Sequence, residues 1–234
     1  MNTTTPKPWL ETPWDARVFG VPTHELTSPD PEGLSLLPGP GGHFTAKIPF
    51  RADAEPLRRA GFYYCDTLIE PWGSRNDLRP VSDAKAGFVR DMAWSDLFRI
   101  GHGAFHGRYH RDPAIAKARA DARYDQWLRE LYDQGRIYGL LYDGRPAGFI
   151  GEKDAVLVLH AMAAELRGQG LARALWSLVL TDLFDHGRTE LHSSVSAGNL
   201  PIVNLYASLG FRFRNPLDVY HAWFPVPGGP ARIE

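Results

Sequence analysis

The residues Arg167-Gly168-Gln169-Gly170-Leu171-Ala172 stand between an apolar run, Ala155 to Met162, and a stretch with Leu171, Leu175, Leu178 and Val179 on one helical face. A glycine turn that opens a helix aims several backbone N–H groups at one point beside the helix's positive end, and such a point attracts phosphate. The glycines let a ligand approach without Cβ in the way, and Arg167 adds a cation. The turn lacks the Lys-Ser/Thr of a nucleoside-triphosphate loop and the third glycine of a dinucleotide fingerprint. The same six residues also suit a tight turn that only starts a helix. Further along comes Asn199-Leu-Pro-Ile-Val-Asn204-Leu-Tyr206-Ala-Ser-Leu-Gly210-Phe211, a short helix from Pro201 to Leu209 with Ile202, Leu205 and Leu209 on its packed side. The nine histidines are scattered and Cys65 is the single cysteine, so no metal cluster is visible in the sequence.

The elements that must position these residues follow from pattern. Phe44 to Glu70 reads as strand, helix, strand, with Gly61 as the helix stop. Turn-forming residues crowd Thr27 to Gly42, Pro71 to Gly87 and the tail from Pro225, which read as loops and linkers. Trp94 to Phe105 and Pro113 to Tyr132 have helical spacing. Asp143-Gly144 between two apolar runs signals a hairpin. Glu190 to Val195 reads as a strand and Phe211 to Phe224 as two strand-like pieces. The expected division is a small α/β half over residues 1–84 and a larger half over 85–234.

The pair RGQGLA and N-x-x-I-x-N-L-Y-x-x-L-G-F closely resembles the cofactor motif and the C-terminal helix motif of the GNAT superfamily of acyl-CoA-dependent N-acyltransferases. The resemblance implies an α/β fold with a mixed, mostly antiparallel sheet in which two central strands, ending near Met162 and Val195, splay into a wedge, beside a smaller N-terminal α/β half. Acetyl-CoA would be the co-substrate. Its pyrophosphate would lie on the N–H groups of Arg167, Gly168, Gln169, Gly170, Leu171 and Ala172, and its pantetheine along Ala161, Met162 and Ala163. Asn199 would lie close to the pantetheine arm, with Asn204 assisting, and the Tyr206 hydroxyl close to the thioester sulfur.

A second likeness covers nearly the whole chain. Ala104-Phe-His-Gly-Arg108-Tyr109-His110-Arg-Asp112-Pro113, with Tyr124 and Trp127, is similar to a signature of bacterial nucleotide-sugar N-acetyltransferases of the dTDP-fucosamine acetyltransferase type. Trp14-Asp15, Phe19-Gly20, Ala46-Lys47-Ile48, Gly61-Phe62 and Asp66-Thr67 match its N-terminal half. The chain departs from it at Glu130-Leu131, where that group often has Asn-Ser. The acceptor so implied is a small-molecule amine, in particular a nucleotide-linked deoxyaminosugar. A protein N-terminus, a polyamine, an antibiotic, or a sensor role without catalysis are the other readings.

Acyl transfer to an amine needs a neutral amine, a stabilised oxyanion and a proton for the thiolate. Tyr206 is the expected proton donor, since a phenol near pKa 10 lies close to a thiol. A backbone N–H near Met162 is the expected oxyanion donor. His160 alternates with Val156, Val158 and Met162 and is placed with them on one strand face, as the candidate base; a histidine packed against a carbonyl is the other reading. Arg108, Tyr109 and His110 are candidates for the acceptor, a cation for phosphate and an aromatic for base or sugar. Equally, Asp112-Pro113 could cap a helix and Arg108 could make a structural salt bridge.

Composition sets the outer limits. With 44% hydrophobic and 23% charged residues the chain is an ordinary folded protein, and a formal net charge of -1 lacks the positive excess that nucleic acid or anionic membrane would need. One cysteine excludes an intrachain disulfide, and no signal peptide or apolar run of membrane-spanning length is evident, so a cytoplasmic location is expected. A homodimer is compatible with all of this.

Overall fold

Runs of strands and runs of helices follow one another along the chain, joined by loops rich in glycine and proline. The computed structural model describes residues 8–28, 34, 41–228 and 232–233. In order they form β1 (Trp9–Glu11), α1 (Pro13–Phe19), β2 (Thr23–Leu26), β3 (Gly42–Pro49), α2 (Glu55–Arg59), β4 (Tyr63–Ser74), β5 (Ala86–Val89), α3 (Trp94–Gly101), α4 (Arg108–Arg111) and α5 (Lys117–Asp133). Then come β6 (Ile137–Tyr142), β7 (Arg145–Lys153), β8 (Val156–Met162), a 3-10 turn (Ala164–Leu166), α6 (Ala172–Asp185), β9 (Glu190–Ser193), β10 (Val195–Ser196), α7 (Leu200–Ser208) and β11 (Arg212–Phe224). Most of the expected Thr27–Gly42 linker and part of the tail from Pro225 lie outside the described residues.

The chain packs as two units. The first comprises Met1–Leu68, His106–Arg123 and Pro216–Glu234. In it β2 runs parallel to β3 and antiparallel to β1, and β3 pairs antiparallel with Leu217 to Phe224 of β11. Its core gathers Phe44, Ile48, Leu57, Phe62 and Tyr220. The second unit comprises Ile69–Phe105 and Tyr124–Asn215. Here β5, β6, β7 and β8 form an antiparallel meander, β8 pairs parallel with β9, and β9 pairs antiparallel with the end of β4. One core, with Leu157, Leu175, Trp176 and Leu180, lies on the α6 side of this sheet, and another, with Leu97, Leu128, Phe149 and Leu159, on the α3 and α5 side. Residues 69–84 pack with the second unit, where the end of β4 pairs with β9 and the Arg79 N–H donates to the Leu209 carbonyl, while β11 returns residues 216–234 to the first unit by pairing with β3, which no composition signal records.

The hairpin at Asp143-Gly144 forms as its turn chemistry requires, with φ of 51° and 72° at those residues. Helix α5 begins at Lys117, later than the helical spacing from Pro113 suggested. The Asp112 carboxylate takes the Ala114 N–H, and Ile115 and Ala116 bridge to Ile233, so residues 112–116 are held out of the helix. The two strand pieces expected over Phe211 to Phe224 are one strand, β11, which passes through Asn215 at φ 50°. The Pro71–Gly87 stretch, read as loop, contributes the end of β4 and the start of β5.

Candidate active site

Strands β8 and β9 pair only at Val156 with His192 and at Leu157 with Ser193. Strand β8 then continues to Met162 on its β7 side alone, and β9 ends at Ser193, so the two part into a wedge. The Ala163 N–H donates to the Ala147 carbonyl across β7. Backbone groups alternate along an antiparallel strand, so the N–H and C=O of Met162 point to the opposite edge, where β9 no longer pairs. Arg167 Nε donates to that Met162 carbonyl over 3.0 Å. The Met162 N–H therefore points into the gap that opens between β8 and β9.

At the mouth of the wedge Gly168 and Gly170 take φ of 76° and 77°, the left-handed region, and a Cβ at either would meet open space. Glycine is needed here for backbone freedom and not for packing. Helix α6 follows with no side-chain cap at Leu171, leaving the first-turn N–H groups to a ligand or solvent. Asn199 is exposed at the start of α7 and its side chain makes no cap bond, and Asn204 is exposed one turn on.

Tyr206 projects from α7 into the α6-side core and is fully buried. Its hydroxyl lies 3.1 Å from His160 Nε2. The facing of His160 differs from simple alternation. Leu159 pairs with Gly151 and Leu157 with Glu152, so Val158 is an extra residue, a β-bulge. Val158 therefore joins Leu159 and Ala161 on the α3 and α5 side, while Leu157 and Met162 pack on the α6 side, where His160 meets Trp176 and Tyr206. A period of two cannot survive an inserted residue.

Burial pushes the His160 imidazole down to about 4, with no charged neighbour contributing. Burial also raises the Tyr206 phenol, partly offset by the Ser193 hydroxyl and Trp176 indole. The phenol is thus a weaker acid than free tyrosine and less closely matched to a thiol. Trp176 Nε1–H is buried beside the phenol, and Ser193 Oγ donates to the Leu157 carbonyl over 2.6 Å. These two neighbours of Tyr206 were not singled out from sequence, because nothing in the apolar pattern of α6 or β9 marks them.

Arg108, Tyr109 and His110 belong to the first unit and are engaged there. Tyr109 is buried and its hydroxyl donates to Asp15 over 3.2 Å; Arg108 Nη2 donates to the Tyr109 hydroxyl over 2.8 Å and its guanidinium covers the ring. His110 Nε2 meets Asp121 at 2.9 Å, and Asp15 also holds Arg123 in a buried ion pair. Beside them His43, Asp112 and His221 come together, although their positions in the sequence gave no hint of it. His43 Nε2 and His221 Nδ1 lie 2.8 and 2.7 Å from one Asp112 oxygen, and the other oxygen accepts from the Tyr63 hydroxyl at 2.6 Å and the Ala114 N–H at 2.8 Å. A tetrahedral ion with ligand bonds near ~2.0–2.1 Å would hold its donor atoms about 3.3 Å apart. The separations are those of a carboxylate saturated with hydrogen bonds. Burial opposes the Asp112 charge, yet the bonds from His221 and His43 hold its carboxyl well below the usual range.

The sequence profile of the acetyltransferase (GNAT) family matches residues 94–211, just over half of the chain. No curated protein matches it significantly. Among solved structures, a GCN5-related N-acetyltransferase from Kribbella flavida is 14% identical with a TM-score of 0.58, covering 97% of this chain and 89% of that one. A functionally unknown conserved protein from Staphylococcus epidermidis is 14% identical with a TM-score of 0.63, covering 95% and 94%. A GCN5-related N-acetyltransferase from Sphaerobacter thermophilus is 15% identical with a TM-score of 0.53 over 77% of this chain, which spans only 59% of that relative. These likenesses are of fold. Among the described residues no helix is long and apolar enough to cross a membrane. With a parted strand pair, an uncapped glycine turn at its mouth and the profile match over both, the chain belongs to the acetyltransferase (GNAT) family.

Proposed function

We propose that the protein transfers acetyl from acetyl-CoA to the amino group of a small-molecule amine, in the specific case a nucleotide-linked deoxyaminosugar. The observation that carries the transfer is the parting of β8 from β9 beyond Leu157 with the Gly168–Gly170 turn at its opening. The N–H groups of residues 167–172 would receive the pyrophosphate, the edge at Ala161–Ala163 the pantetheine, and Asn199 and Asn204 its amides. The Met162 N–H would stabilise the tetrahedral oxyanion, a contribution of about a hundredfold or more for one well-placed donor. Tyr206 would protonate the departing sulfur, typically worth on the order of 10²–10⁴-fold.

The aminosugar acceptor rests on the likeness of residues 104–127 to the nucleotide-sugar group. The hydrogen bonds of Arg108, Tyr109 and His110 favour a framework role for that segment over direct contact with the amine. A cytoplasmic setting rests on the lone Cys65, which is buried with its thiol pushed up to about 12 by burial.

Calorimetric binding of acetyl-CoA followed by a thiol-release panel tests the reading. Release with dTDP- or UDP-aminosugars and not with peptides or polyamines is the expected result. Release with peptides alone would move the acceptor to protein, and binding without release for any amine would leave a sensor.

A further inference from the structure

An amine that attacks a thioester sheds one proton, and the sulfur that leaves gains one. Two titratable side chains stand together on the α6 side of β8. Tyr206 Oη and His160 Nε2 are 3.1 Å apart, the phenol fully buried and the imidazole half-buried. Among the described residues neither has a counter-charge. Opposite His160, β7 supplies Ile150; α6 brings the Trp176 ring at 5.7 Å and α7 brings Tyr206 at 5.8 Å. Burial alone accounts for the lowered imidazole, and only the neutral Ser193 and Trp176 side chains offset the burial of the phenol. An imidazolium or a phenolate formed here would be a lone charge taken out of water, which is the costly state for either group.

We propose that His160 and Tyr206 form one charge-neutral proton relay, in which the histidine changes tautomer and never charge. The relay rests on the acyl-transfer reading above. In the starting state His160 Nε2–H donates to the Tyr206 oxygen. As the tetrahedral adduct collapses, the C–S bond breaks and its electron pair stays on sulfur. The Tyr206 O–H proton moves to sulfur, the His160 Nε2–H proton moves to the Tyr206 oxygen, and His160 Nδ1 takes the proton shed by the new amide nitrogen. One proton leaves nitrogen and one arrives at sulfur. Tyr206 ends as a phenol and His160 as the neutral Nδ1–H tautomer, which solvent exchange at the half-buried ring resets. The buried Trp176 Nε1–H steadies the partial negative charge on the Tyr206 oxygen during transfer.

Two measurements test this. In protein labelled with ¹⁵N-histidine, His160 is expected to stay neutral and Nε2-protonated from about pH 5 to 8, and to become a tautomer mixture in Tyr206→Phe. In thiol release with the most active amine of the panel, Tyr206→Phe and His160→Ala each lose about tenfold or more, and the double variant falls within about threefold of the slower single one, because either change opens the same relay. His160→Gln keeps a hydrogen bond but has no second tautomer, and is expected to be as slow as His160→Ala. Losses that multiply to about a hundredfold, rescue by glutamine, or an imidazole that titrates near its ordinary ~6.5 overturn the relay and leave acyl transfer standing. Bound acetyl-CoA with no thiol release for any amine overturns both.

Discussion

His221 Nδ1 donates to Asp112 Oδ2 over 2.7 Å with neither side chain exposed to solvent. The pair joins β11 to the segment that precedes α5, and His43 on the neighbouring β3 donates to the same oxygen. A carboxylate taken fully out of water survives only if its lone pairs are filled, and here four donors fill them.

Asp112→Asn removes the charge and turns half of the acceptor into a donor that faces other donors. A loss of about 3 kcal/mol or more is expected, the usual cost of breaking a buried charged network. Urea unfolding measures it; a loss under about 1 kcal/mol would mean the network contributes little.

Stability should fall with acid. The folded protein holds His221 down to about 3, against an ordinary value near ~6.5, so the unfolded chain binds a proton that the folded one refuses. That contribution is whole above about pH 6.5 and drains as the pH drops toward 3. Asp112, held below its ordinary value, adds a second loss below about pH 4, and His160 acts in the same direction as His221. Tm is expected to decline steadily from pH 7 to 4.5, and less steeply in His221→Phe. A Tm that holds or rises over that range contradicts the assignment.

Gly210 and Gly168 separate folding from binding. At Gly210, φ is 93° and a Cβ would come within 2.0 Å of the Asp77 carbonyl oxygen, so Gly210→Ala must displace backbone. Destabilisation of about 3 kcal/mol or more is expected. At Gly168 a Cβ meets open space and only the φ of 76° is strained, about 1–2 kcal/mol. Gly168→Ala should let the exposed turn relax, so acetyl-CoA affinity falls about tenfold while the melt moves by a few degrees. Unchanged affinity would remove the turn from the coenzyme site.

Tyr109→Phe deletes the hydroxyl that bonds Asp15 and Arg108. If the segment is framework, stability drops by about 1–2 kcal/mol and KM for the acceptor stays within twofold. A large rise in KM with an unchanged melt would return Tyr109 to the acceptor site.

Asn199→Ala touches no cap bond and no core, so stability should hold within about 0.5 kcal/mol. Acetyl-CoA binding is the sensitive readout, with a weakening of about fivefold to tenfold expected for one lost hydrogen bond.

Local pattern was enough to identify the hairpin at Asp143-Gly144, the strand–turn–helix around Gly168 and the short helix that carries Tyr206. Each is written in neighbouring residues through turn chemistry, glycine φ and apolar spacing. The short elements α1 and β1 near the N-terminus were missed, since 7 and 3 residues are too few to display a period.

The sequence alone determined the chemistry offered to a ligand: a glycine turn opening a helix, an amide at Asn199 and a phenol at Tyr206 seven residues apart along a short helix, and a titratable ring in an apolar strand. Tertiary structure decided what those groups face. One inserted residue, Val158, turned His160 toward Tyr206, and the pairing of β11 with β3 carried His221 to Asp112 across 109 positions. Strand register and long-range pairing are settled by burial summed over whole sheets, and no window of adjacent residues contains that sum.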